Sequence, residues 1–158
     1  MKNTALLMFV LFSLNSCNSQ EKKTDKQNFP LVKTEAEWKQ KLTPYQYQVV
    51  REKGTEPSFS GKYYNHFEKG YYACVACEKP LFTSNAKFNS ECGWPSFDQA
   101  IKGSVIYKTD STFGMQRTEV ICANCGGHLG HVFDDGPAET TGKRFCTNSV
   151  SIIFVPKK

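Results

Sequence analysis

The spacing of apolar and polar positions changes character along the chain. Ala5 to Phe12 form an unbroken apolar run behind Lys2, and Asn18 to Asn28 contain no apolar residue at all. Thr34-Glu35-Ala36-Glu37 has the spacing of a capping box and predicts a short helix through Trp38 to Leu42. Thr43-Pro44-Tyr45-Gln46 repeats the signal, with proline at the first helical position. This second helix carries Tyr47 and Val50, is expected to hold Arg51 and Lys53 in its last turn, and to stop at Gly54. Beyond Gly54 the helical period is lost. Short β-branched and aromatic runs at 70–75, 104–108, 117–122, 130–133 and 144–155, broken by Gly, Pro, Asn and Asp, predict antiparallel strands in small sheets rather than βαβ units.

The leading apolar run is too short to span a bilayer and has the layout of a secretory signal. Leu14-Asn15-Ser16-Cys17 resembles a bacterial lipobox, which implies cleavage before Cys17 and lipid attachment to its sulfur. The expected organisation is a signal peptide at 1–16, a flexible lipid-anchored tether at 17–33 and a folded domain at 34–158. An exported, membrane-anchored lipoprotein of the cell envelope is the corresponding expectation.

Composition narrows the picture. A chain of 158 residues with 39% hydrophobic and 13% aromatic residues has material for one core and little room for a second. The net charge of +5 is too small and too dispersed to argue for a nucleic-acid platform. Seven cysteines, an odd number, exclude a framework built wholly of intramolecular disulfides. A lipidated Cys17 would leave six for the domain.

Cys74-Val75-Ala76-Cys77 and Cys122-Ala123-Asn124-Cys125 are two Cys-x-x-Cys knuckles. Each spacing lets one tight turn aim two sulfurs at one ion, and two turns complete a tetrahedral four-thiolate zinc site. Two separate disulfides, a thioredoxin-like redox motif, or recruitment of His128 or His131 as ligands are the alternatives. Four thiolates already close such a site, and neither knuckle has a βαβ context.

Two domain cysteines remain. Cys146 lies in an expected strand, where a period of two places Arg144, Cys146 and Asn148 on one face. A cation beside a thiol favours the nucleophilic thiolate, although a buried structural cysteine fits the same pattern. Cys92 lies in the Gly- and Pro-containing stretch Asn89 to Phe97, a loop, and a mobile loop cysteine suits a resolving role. Trp94 beside it serves equally as a core anchor. His128 and His131, three apart around Gly130, are candidate proton donors or structural hydrogen-bonding residues.

Cys92-Gly93-Trp94-Pro95-Ser96-Phe97, Arg117-Thr118-Glu119-Val120, Gly127 to Phe133 and Arg144 to Ser149, in that order and with both knuckles, resemble the B-type peptide-methionine (R)-S-oxide reductases over about residues 34–156. The resemblance implies a mainly β fold of two antiparallel sheets, barrel-like, with short N-terminal helices. It implies that Cys146 is the nucleophile, Cys92 the resolving cysteine, and that Trp94 packs against the methyl group of the sulfoxide. It further implies that His128, His131 and Asn148 line the active site and that the knuckles bind one zinc ion. Methionine (R)-S-oxide in peptides or proteins is the implied substrate, and a thioredoxin-like dithiol the reductant. Cleavage of the S–O bond requires a proton donor, for which His131 is the first candidate and His128 the second. Glu91 before Cys92 and Tyr45 depart from common family residues and touch none of this chemistry. A zinc-knuckle binding module and a general thiol–disulfide oxidoreductase are the competing classes. Nothing in the sequence demands more than a monomer.

Overall fold

The computed structural model describes residues 28–157. The signal-like run, Cys17 and most of the polar segment after it lie outside the described residues. Helix α1 spans Glu35–Lys41 and helix α2 Pro44–Val50. Both start on complete capping boxes, Thr34 with Glu37 and Thr43 with Gln46, so the orphan N–H groups of each first turn find partners. Both bury one face, through Trp38, Val49 and Val50. Among the described residues no helix is long and apolar enough to cross a membrane.

Helix α2 ends at Val50, earlier than Gly54, and Arg51 and Lys53 lie past its last turn. The helix closes on main-chain bonds that run back to its last carbonyls, Arg51 N–H to Tyr47 at 2.8 Å and Gly54 N–H to Gln48 at 3.0 Å. The Arg51 guanidinium donates to Glu35 at 3.0 Å and to the Cys125 carbonyl at 3.2 Å, and the Lys53 ammonium to Glu119 at 2.7 Å. Lys53, at φ 59°, takes the left-handed turn expected of the glycine.

Among the described residues nine strands follow: β1 Gly70–Cys74, β2 Pro80–Thr83, β3 Lys87–Phe88, β4 Ser96–Phe97, β5 Val105–Asp110, β6 Arg117–Cys122, β7 His128–Phe133, β8 Arg144–Thr147 and β9 Ile152–Pro156. They form two antiparallel sheets, ordered β2-β1-β9 and β3-β4-β8-β7-β6-β5. The fold is therefore mainly β with two short helices, as expected. The run 144–155 is not one strand. A 3-10 turn at Ser149–Ser151 cuts it into β8 and β9, which belong to different sheets. The cause is a side chain far away in sequence: the Glu56 carboxylate accepts the main-chain N–H groups of Ser149 and Val150 and so removes them from any ladder.

The core lies between the sheets. Phe82 of β2 stacks on Phe97 of β4 with centroids 4.3 Å apart, and Tyr72 of β1 meets Phe97 edge-on at 5.0 Å. All three are fully buried, as are Leu81 and Leu129. The chain joins this body ahead of residue 34. Leu31 donates its N–H to the Asn124 carbonyl at 2.9 Å, and the Phe29 ring lies against Gly126, where a Cβ would come within 2.6 Å of it.

Candidate active site

The four knuckle cysteines meet at the junction of the sheets. Cys74 ends β1, Cys122 ends β6, and Cys77 and Cys125 stand in the turns that follow. The two knuckles share one backbone pattern. The Cys74 and Cys122 carbonyls accept from Glu78 and Gly126 at 2.8 and 2.9 Å, and both acceptor turns close on a left-handed residue, φ 61° and 71°. All four sulfurs lie within 4.8 Å of one another, with Cys74–Cys125 at 3.7 Å and Cys77–Cys122 at 3.5 Å. Zn–S bonds of about 2.3 Å in a tetrahedron require sulfurs about 3.8 Å apart, so the donor set fits a zinc ion. Both of these close sulfur pairs run between the knuckles, and no histidine belongs to the cluster.

The second cysteine pair sits on the six-stranded sheet. Strand β8 lies between β4 and β7, which places Cys146 opposite Ser96 on one side and His131 on the other. The loop before β4 carries Cys92 over this strand, and the Cys92 and Cys146 sulfurs are 3.8 Å apart. Ser90 donates its hydroxyl to Cys92 Sγ at 3.0 Å, and Ser96 Oγ lies 3.4 Å from it. The Cys146 thiol, followed by these hydroxyls, brings Cys92 down to about 4. Cys146 is pushed up, first by Cys92 and then by burial, against the opposing pull of Arg144. The contact between the two sulfurs thus favours the negative charge on Cys92 and the proton on Cys146. Arg144 is itself engaged, in a two-pronged pair with Asp135 at 2.9 and 2.8 Å and over the Phe133 ring at 4.6 Å.

Cys146 opens onto a pocket of about 120 Å³ whose walls include Trp94, His131 and Asn148, together with Thr55, Arg117, Gly130 and Phe133. The Trp94 indole N–H donates to the Glu56 carbonyl at 3.0 Å. Asn148 donates to the Leu129 carbonyl at 3.1 Å and accepts the Glu56 N–H at 3.0 Å. His131 Nε2 meets Asp110 at 2.8 Å, and the same carboxylate oxygen accepts from Arg117 at 2.7 Å. Burial lowers the His131 pKa below its usual 6.5, with Asp110 opposing and Arg117 assisting the fall.

His128 does not line this pocket. It is buried, with Nδ1 2.8 Å from Glu119, whose second oxygen takes Lys53. Burial pushes Glu119 up, but His128 and Lys53 outweigh it and hold the carboxyl below its ordinary value. Three residues apart on a regular strand, His128 and His131 would face opposite ways. The register with β6 runs Val120↔Gly130 and then Ile121↔His128, a bulge with one extra residue on β7. That residue turns both rings to one side, 5.6 Å apart, and both border a groove of about 310 Å³ adjoining the pocket. The histidines therefore lie on a strand, not in a Gly-rich turn.

Sequence reasoning missed Thr55, Glu56 and Asp110, and read Arg117 only as part of a motif. Asp110 and Arg117 end the β5–β6 hairpin as a register pair, so pairing that hairpin from its turn inward would have joined them. For Glu56, whose partners are at 148–150, the local sequence carries no such signal.

A pair of close cysteines beside a small aromatic-walled pocket, on a β fold gathered by four further cysteines, fits an oxidoreductase. The SelR domain family model matches residues 42–156, and the chain belongs to that family. It is 55% identical over 125 residues to a peptide methionine sulfoxide reductase MsrB of Agrobacterium fabrum, covering 78% of this chain and 92% of that protein. A protein of the same name from Methanosarcina barkeri is 56% identical over 123 residues, covering 77% and 86%. The mouse mitochondrial methionine-R-sulfoxide reductase B3 is 50% identical over 133 residues, covering 84% of this chain and 52% of the relative. The chain is an oxidoreductase of this MsrB kind.

Proposed function

We propose that this protein reduces methionine (R)-S-oxide in peptides and proteins to methionine. The observation that carries the reading is the 3.8 Å separation of Cys92 and Cys146 at the wall of a pocket shared with Trp94, His131 and Asn148. The R preference rests on family membership and on the name of the mouse relative. In the proposed cycle the Cys146 proton passes to Cys92, and the Cys146 thiolate attacks the sulfoxide sulfur. The sulfoxide oxygen takes up protons, with His131 the proposed donor, and leaves as water as the bond from Cys146 to the substrate sulfur forms. Attack of that water on Cys146 Sγ breaks the sulfur–sulfur bond, returns a proton, releases methionine and leaves Cys146 as a sulfenic acid. The Cys92 thiol then displaces water from the sulfenic acid and forms the Cys92–Cys146 disulfide. A thioredoxin-like dithiol exchanges with that disulfide, is itself oxidised, and restores both thiols. Trp94 and Phe133 offer the apolar wall for the methyl group, and Asn148 a polar one. Arg144 offsets negative charge at the sulfur pair.

Zinc held by Cys74, Cys77, Cys122 and Cys125 is proposed as a structural clip with no part in the redox steps. Lipid attachment at Cys17 and an envelope location remain part of the proposal, and Cys17→Ser is expected to release the protein from membranes. The deciding experiment gives the protein each diastereomer of a peptide methionine sulfoxide with dithiothreitol. Turnover of the R form alone is expected, abolished even for a single cycle in Cys146→Ser. Cys92→Ser should complete one turnover and fail to recycle with thioredoxin. Turnover of neither diastereomer, or undiminished recycling in Cys92→Ser, would overturn the scheme.

A further inference from the structure

Glu56 is a carboxylate at 3% exposure, in the strip that leads from α2 to β1, and the cycle above gives it no task. Four hydrogen bonds converge on this one residue. Its carboxylate oxygens accept the Ser149 N–H at 2.6 Å and the Val150 N–H at 3.1 Å. Its own N–H donates to Asn148 Oδ1 at 3.0 Å, and its carbonyl accepts the Trp94 indole N–H at 3.0 Å. The side chain thus bolts the strip to the turn after β8, while the main chain of the same residue holds two of the pocket's walls. The strip is pressed close here. A Cβ on Gly61 would come within 2.5 Å of Ser149 Cβ and 2.6 Å of Glu56 Oε1, and Tyr63 donates its N–H to Ser149 Oγ at 2.6 Å. Burying a carboxylate is costly unless its oxygens are hydrogen-bonded, so its presence calls for more than filling space.

We propose that Glu56 is a positioning residue which sets the spacing of Trp94 and Asn148, and with it the width of the substrate pocket. This rests on the reading that the pocket takes methionine sulfoxide. Cys146 is held separately, by the β4 and β7 ladders on its two sides, and neither depends on Glu56. Loosening residue 56 should therefore weaken substrate binding and leave the chemistry of the sulfur in place.

Glu56→Gln turns an amide NH₂ towards one of two main-chain N–H groups and loses that bond; Glu56→Asp keeps the charge on a shorter arm. Two readouts in the full-length protein test the idea. Acrylamide quenching needs no substrate and reports Trp94, because Trp38 is 1% exposed. Glu56→Gln should quench more strongly than wild type, with Glu56→Asp between. KM for a peptide methionine sulfoxide should rise about tenfold in Glu56→Gln, the equivalent of one lost hydrogen bond, with kcat within about threefold. Wild-type quenching and KM in variants that merely melt earlier would overturn the proposal, as would a fall in kcat at constant KM. Should Glu56→Gln not fold, Glu56→Asp decides on the same two readouts. Absence of turnover in the wild type sinks the substrate reading alone, since the quenching result stands without it.

Discussion

The sulfur pair and the histidine beside it set how the rate should respond to pH. Cys92 is brought to about 4 by Cys146 and its serines. His131, lowered from 6.5 by burial, is mostly neutral at pH 7 and gains its proton only as pH falls further. If the imidazolium donates to the sulfoxide oxygen, kcat should rise as pH falls from 7 towards 6 and drop again near 4. Asp110 is the group that holds the His131 proton on. Asp110→Asn should move the upper limb to lower pH, and each pH unit it moves lowers the protonated fraction at pH 7 by about tenfold. A kcat profile unchanged in that variant would remove His131 as donor. Trp94 and His131 were tied to the site by the family resemblance, whereas Cys92, Cys146 and Asn148 were legible in the sequence itself, as the two cysteines outside the knuckles and a residue sharing a strand face with Cys146. Asp110 and Glu56 were not, because their meaning comes from partners that only the folded chain brings near.

Two local interruptions of regular structure shape the site. The bulge in β7 re-aims His128 and His131, and the turn at Ser149–Ser151 sends β9 to the other sheet. Gly130 lies at the bulge with φ 154°, and a Cβ there would come 2.0 Å from the Cys146 carbonyl oxygen. Gly130→Ala must push β7 and β8 apart at Cys146. It should cost about 1–3 kcal/mol, as overpacking does, seen in denaturant unfolding, and reduce kcat more than that loss of stability explains. Most strands could be read from their β-branched runs. Strands β2, β3 and β4 could not, being too short to show alternation, and the break at 149 could not because residue 56 causes it.

The cysteine clip joins β1 of one sheet to β6 of the other, where the two sheets share their aromatic core. Zinc bound at such a site supplies an apparent 10–16 kcal/mol, roughly the whole stability of a domain, about 5–15 kcal/mol. Stripping the metal with a chelator should therefore unfold the protein, followed by circular dichroism and metal analysis. A stripped protein with native ellipticity and melting point would exclude the structural role. Phe82→Ala, which empties the stack between the sheets, should cost about 3–5 kcal/mol with metal bound. The placement of β8 inside its sheet has a dynamic consequence. Thr147 and Asn148 donate their N–H groups to Pro95 on one side and Leu129 on the other, so opening this strand means parting both neighbours at once. Their amide protons should exchange with solvent only through global unfolding, and be among the slowest in hydrogen-exchange measurements. In the proposed cycle the attacking sulfur is then the stationary one, and the travel needed to close the disulfide falls to the loop that carries Cys92.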